Sequence, residues 1–244
     1  MDGLLWGFVL SGRVAPVVML VPAFGGRRLP IPVRVALVAA VVLAIHPAAC
    51  PQGPAPAGLA LAGLVLKEVC VGAVLALAAS CLFEALRIGG RLVDNLRGAS
   101  MAHALLPQTN ESASPMADLY LLLAVLVFFA AGGPALFLRA LLDSLERVPL
   151  QALPDAPASR QAAGLVLALT AGALRTAVAI ALPAGLAVLL ADAALGFVNR
   201  TAPQVQVFFL GMPLRAMLGL AVAALTLDGV VERFLLDLQR WTGG

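Results

Sequence analysis

Four charged side chains stand inside otherwise apolar runs and could do chemistry there: Lys67, Glu68, Arg175 and Asp192. Each would cost roughly 2.5–3.5 kcal/mol at a bilayer centre. Each must therefore face protein, water or a partner of opposite sign. Acid and base groups in mutual reach would make a proton relay or a solute path; docking between helices is the plainer alternative. A second polar feature is the stretch Asp94 to Pro115, DNLRGASMAHALLPQTNESASP. It gathers acids, amides, an arginine, hydroxyls and His103 within a chain that is otherwise apolar. Gly98 loosens a helix there, and Pro107 and Pro115 stop one. Irregular backbone cannot face lipid, because its N–H and C=O groups would go unsatisfied. This stretch must face water, line a cavity or lie against protein.

Other reaction chemistry finds no footing. There is no GxxxxGK phosphate loop, no HExxH, no CxxC pair and no GxSxG elbow. Two histidines, His46 and His103, are too few for a histidine-built metal site. Cys50, Cys70 and Cys81 read as small core residues. Cys70 and Cys81 lie about 16 Å apart along one predicted helix and cannot bridge. The expectation is a protein that is not an enzyme and carries no cofactor or metal.

Stepping outward, the elements that hold these residues are helical and apolar. Of 244 residues, 61% are hydrophobic and 12% charged, with a mean hydropathy of +1.00. A soluble domain carries about 25% charged residues, so the class is a polytopic helical membrane protein or a subunit buried in a helical assembly. The net charge of +3 is small and scattered, which excludes a nucleic-acid surface.

The sequence divides into about six apolar blocks, with no soluble domain and no repeat of 20–50 residues. The first runs from about Leu4 to Phe24, and the arginine-rich turn Gly25 to Arg34 follows. The second, Val35 to about Ala49, is short for a span. The third, Leu59 to Phe83, carries Lys67 and Glu68. From Glu84 to Arg97 the pattern turns amphipathic: Glu84, Arg87, Arg91 and Asp94 share one helix face, solvated or docking. The fourth block, Leu119 to Leu138, is interrupted by AGGP at 131–134. The fifth spans about Ala162 to Val198, about 37 residues or roughly 55 Å. That exceeds a bilayer core, and Pro183 is its expected bend. Arg175 and Asp192 are too far apart to pair with each other, so each needs a partner from elsewhere. A turn at Asn199 to Gln206 leads to the last apolar helix, about Val207 to Leu227, and an amphipathic tail.

Four stretches in order resemble one family. They are SGRVAPVVMLVPAFGGRRLPIPVRVALVAAVVLAIHP, DNLRGASMAHALLPQTNESASP, FFAAGGPALFLRALLDSLERVPL and LADAALGFVNRTAPQVQVFFLGMPLRAMLGL, and the resemblance spans about residues 11–227. They are similar to the signatures of the T-type export-apparatus subunits of type III secretion systems, whose flagellar branch is FliR. The pair NRTAPQ and VFFLGMP is the most specific part. The polar stretch resembles the virulence branch more than the flagellar one.

The resemblance implies an all-α fold of membrane-type helical hairpins within a helical export-gate assembly. It implies a non-enzymatic core subunit in the bacterial inner membrane, with R-type and S-type subunits, the U-type switch subunit and the export substrates as partners. Residues 1–160 would resemble an R-type subunit and 161–244 an S-type hairpin with its tail. By position, a plug for the closed channel would fall on Gly98 to Pro115, with Met101, Leu105 and Leu106 as apolar stoppers before Pro107. Asp94, Asn95 and Arg97 would anchor it. Asn199, Arg200, Pro203, Gln204, Phe208, Pro213 and Arg215 would set the last turn and the subunit interface. The other hypothesis is a stand-alone transporter or channel for small solutes, built on Lys67, Glu68, Arg175 and Asp192.

Overall fold

The computed structural model describes residues 2–24, 29–49, 58–98, 114–151, 156–201 and 207–243. Among them every regular element is helical. Helix α1 is Asp2–Leu20, followed by a 3-10 turn at Pro22–Phe24; α2 is Ile31–Ala49 and α3 is Leu59–Leu96. Then come α4 at Pro115–Ala130, α5 at Gly133–Arg147, α6 at Ala156–Thr201, α7 at Val207–Leu225 and α8 at Leu227–Gly243.

By length and composition α1, α3 and α6 could each cross a membrane, and the total is up to five if two bent pairs count as single spans. One pair is α4 and α5, bent by 77°; the other is α7 and α8, bent by 52°. The first bend sits at the expected AGGP interruption. Gly132 there takes φ 71°, a left-handed conformation that side-chain-bearing residues rarely hold, and Pro134 then starts α5.

Two expected boundaries move. The apolar third block and the amphipathic piece after it form one helix of 38 residues. Composition changes at Glu84, but no residue there breaks a helix. The fifth block is likewise one helix of 46 residues that continues across Pro183, about 69 Å at 1.5 Å per residue.

The chain forms two compact units. The first comprises Met1–Phe83 with Phe128–Thr170. Its core joins Trp6, Val9, Leu10 and Val14 of α1 to Val42 and Ile45 of α2 and Leu141 of α5. Within it α1 and α3 cross so closely that a Cβ at Gly72 would collide with the Arg13 backbone.

Beside that crossing lie three buried charges. Arg13 and Glu68 are 0% exposed and Lys67 is 7% exposed. Arg13 Nε donates to Glu68 Oε2 at 2.5 Å and Nη2 to Oε1 at 3.0 Å. Lys67 Nζ lies 2.6 Å from the same Oε1. The remaining donors turn to the end of α5. Arg13 donates to the carbonyls of Ser144 at 2.9 Å and Val148 at 2.7 Å. Lys67 donates to those of Pro149 at 2.9 Å and Leu150 at 3.0 Å. A helix C-terminus leaves carbonyls without partners and carries partial negative charge. Arg13 therefore caps α5 from α1, Lys67 of α3 holds the turn just past it, and Glu68 contacts both cations. Lys67 and Glu68 face other helices, as their cost in lipid requires; Arg13, which the sequence shows only as an interruption of α1, is the partner that closes the cluster.

The second unit comprises Glu84–Val127 with Ala171–Gly244. Small residues on α6, Ala177, Ala181, Ala184 and Ala191, form a buried stripe at helical spacing. Phe234 and Leu238 of α8 are buried too, and Thr176 Oγ1 donates to Asp237 Oδ2 at 2.9 Å, tying α8 to α6.

Glu68→Ala leaves two buried cations without their counter-ion and is expected to destabilise the fold by about 3–5 kcal/mol. Replacing all three charges together, Arg13→Met with Lys67→Met and Glu68→Leu, removes the desolvation cost along with the attraction. Thermal unfolding in detergent should show the single variant melting below the triple one.

Candidate functional site: a carboxylate between two segment ends

The polar stretch is framed by the last turns of α3 and the first turn of α4. Asp94 belongs to the expected charged face of α3, yet it points inward and is 4% exposed. Glu84 and Arg87 of that face pair with each other at 3.0 Å, both half-exposed, and Arg91 is exposed. The face is thus split: its first part meets solvent or a neighbour, and its last acid is built into the fold.

The two oxygens of Asp94 serve two different chain segments. Oδ1 accepts from Arg97 Nε at 2.7 Å, and Arg97 Nη2 lies 2.6 Å away. Oδ2 accepts from Ser114 Oγ at 2.5 Å and from the Met116 backbone N–H at 3.0 Å. Met116 is in the first turn of α4, where N–H groups have no helical acceptor and partial positive charge accumulates. Pro115, just before it, has no N–H to satisfy. A carboxylate reaching in from another helix supplies what an N-cap side chain would. Gly90 makes the reach possible, since a Cβ there would stand 2.6 Å from the backbone of Ala117. Tyr120, one turn further along α4, is fully buried, and its hydroxyl has no hydrogen-bond partner among the described residues.

Sixteen residues, Gly98 to Ala113, separate Arg97 from Ser114, and one carboxylate holds both ends. Gly98 takes φ 80° and donates its N–H to the Asn95 carbonyl at 3.1 Å, ending α3. The Asn95 side chain is exposed. Of the expected stoppers, Met101, Leu105, Leu106 and Pro107 lie outside the described residues. Among the expected anchors, Asp94 and Arg97 come together. Ser114, Gly90 and the Met116 amide were not singled out from sequence; a serine just before the Pro115 that starts α4 was the available signal for the first.

At the other end of the chain, Asp192 of α6 and Arg215 of α7 find each other. Arg215 Nε and Asp192 Oδ1 are 2.5 Å apart, both side chains about 40% exposed. The contact is an ion pair without the alignment of a hydrogen bond. Asn199 and Arg200, expected in a turn, are exposed residues of the last turn of α6. The helix runs on to Thr201, whose hydroxyl bonds the Phe197 carbonyl at 3.2 Å. Pro203 and Gln204 lie outside the described residues, as does the Phe208 side chain. Pro213 is exposed within α7. Arg175 is exposed on α6 and has no ion-pair partner among the described residues.

Three of the four charges of the solute-path hypothesis are therefore committed elsewhere. Lys67 and Glu68 are locked to Arg13 and to backbone carbonyls, and Asp192 is neutralised by Arg215. No group of three or more His, Cys, Asp or Glu side chains comes together among the described residues.

Residues 4–240 match the profile of a family described as bacterial export proteins, family 1. The chain is 28% identical over 225 residues to the flagellar biosynthetic protein FliR of Caulobacter vibrioides, covering 91% of this chain and 88% of that protein. It is 28% identical over 229 residues to the surface presentation of antigens protein SpaR of Salmonella typhimurium, covering 93% and 84%. Over 164 residues it is 32% identical to the Yop proteins translocation protein T of Yersinia pestis, covering 67% and 61%.

Asp94→Ala should strip Arg97, Ser114 and Met116 of their shared acceptor. The expected cost is about 3 kcal/mol, the low end for a buried pair, because Arg97 keeps some access to water. Limited proteolysis is expected to cut within 98–113 faster than in the unaltered chain.

Proposed function

Because the chain belongs to the bacterial export proteins of family 1, the T-type export-apparatus subunits of type III secretion and their flagellar FliR counterparts, we propose that it is a non-enzymatic core subunit of the export gate in the bacterial inner membrane. It shapes the pore that unfolded substrates enter and closes that pore with the segment 98–115. The observation that carries this reading is the Asp94 carboxylate, which fastens both ends of one sixteen-residue segment.

A closed pore must stop ions yet yield to a polypeptide. Apolar constrictions do so by excluding water. Met101, Leu105 and Leu106 supply the apolar knob, and Gly98 and Pro107 bound it. The ends stay fixed through Asp94, Arg97 and Ser114 while the middle is displaced.

The surface of α6 and α7 supports partners on this chain. Leu174, Leu182, Leu189, Leu190, Phe197 and Met217 are exposed, on the helices that also carry Arg175 and the half-exposed Asp192–Arg215 pair. Lipid suits the first group and penalises the second; neighbouring protein suits both. In this reading R-type and S-type subunits cover these faces. Residues 1–160 occupy an R-like place in the stack and 161–244 an S-like one, Asn199, Arg200, Pro203, Gln204, Phe208, Pro213 and Arg215 contribute to the junctions, and the U-type switch subunit and the substrates engage the finished gate.

Deleting residues 98–108 is expected to make cells carrying the assembled gate leaky to ions and small molecules while the complex still purifies intact. Conductance equal to that of the unaltered gate would reject the plug. Expression with R-type and S-type partners should yield a stable complex in mild detergent. A lone, monodisperse, solute-binding chain would instead favour a stand-alone transporter.

A further inference from the structure

The end of α3 does not hang free beyond Asp94. Its last residue, Leu96, and the next, Arg97, rest on the two limbs of the α6–α7 hairpin within the second unit. A Cβ built on Gly219 of α7 would stand 2.9 Å from Arg97 Cβ, 3.6 Å from Cδ and 3.8 Å from Cγ. The arginine stem thus lies along the α7 backbone at a residue that offers no side chain. A Cβ on Gly185 of α6 would meet Leu96 Cδ1 at 3.0 Å.

The two contacts differ in kind. Leu96 Cδ1 is the far end of a side chain and can rotate away. Arg97 Cβ is fixed to the backbone, so an atom placed against it must move the end of α3 itself. Gly219 is buried, and Arg97 leaves this seat with its guanidinium on Asp94 Oδ1.

We propose that Gly219 is a positioning residue for the Asp94 clamp: by leaving room for the Arg97 stem, α7 sets where the first end of segment 98–113 is held. This rests on the reading of that segment as the plug for its consequence in export, but not for its geometry. The hairpin and the plug base become one mechanical unit, so that a shift of α7 against α3 loosens the arginine arm of the clamp.

The test uses the complete complex with its partner subunits and compares Gly219→Ala, Gly219→Leu, Arg97→Gly and the doubles. The control is Gly196→Ala, whose added Cβ would meet nothing within 4 Å. Two readouts are taken. Hydrogen exchange of the Met116 amide reports the clamp directly, because that N–H is held by Asp94. Loss of one charge-assisted hydrogen bond corresponds to exchange faster by about tenfold to a hundredfold. Ion leak through the assembled gate reports the plug.

Gly219→Ala and Gly219→Leu are expected to speed exchange at Met116 and raise the leak, with Leu the stronger and the control unchanged. In the Arg97→Gly background Gly219→Ala should not add to the effect, since the Cβ and stem it would displace are gone. Equal fold-changes with and without Arg97 would overturn the proposal, as would unchanged Met116 exchange in both Gly219 variants. If Gly219→Leu prevents assembly, the Ala variant carries the comparison. If exchange rises in the Gly219 and Asp94→Ala variants while neither they nor the 98–108 deletion leak, the seat stands and the plug reading falls.

Discussion

A helix end withdrawn from water must have its bare backbone groups met by something, and in this chain that something is charge carried on other helices. The broken pair α4 and α5 shows it at both extremities. Its N-terminal amide is met by the Asp94 anion, its C-terminal carbonyls by Arg13, and the carbonyls of the turn just beyond by Lys67. The signs are those the helix dipole favours. Helix α3 contributes at both places, Lys67 and Glu68 near its start and Asp94 near its end. The charged side chains buried among the described residues, Arg13, Lys67, Glu68 and Asp94, all gather at helix ends.

This accounts for why the intramembrane charges are structural. Glu68 alone between apolar helices would be a buried acid without a partner; here it lies between two cations and orients both. Asp192 and Arg215 do the same less completely, at about 40% exposure, which leaves their outer sides for a neighbour. The large apolar side chains exposed on the same helices point the same way.

The helices themselves were readable from apolar periodicity, and the pairings were not. Lys67 and Glu68 announced that they needed neighbours, but Arg13 lies 55 positions from Glu68, and nothing local links the two. Asp94 and Arg97 were visible because they open the one polar stretch. That Asp94 turns inward was not visible, since its three- and four-residue spacing with Arg91 and Arg87 reads as a single wet face. Gly90 decides the matter by admitting α4, and a glycine's role in a close crossing depends on the helix that crosses it. The joined α3 divides in sequence where its composition shifts at Glu84, but that change is not strong enough to end a helix whose flanks are packed. Thr201 likewise carried α6 past the expected turn by bonding back to its own last turn. The family signatures identified the family whose profile residues 4–240 match.

One carbon atom bearing both oxygens has a kinetic meaning. When the Arg97 arm lets go, the Ser114 and Met116 contacts to the other oxygen can still hold. The released guanidinium then remains tethered three residues from its acceptor, at an effective concentration of about millimolar or higher. Reclosure is therefore an intramolecular recapture and does not wait for a diffusing partner.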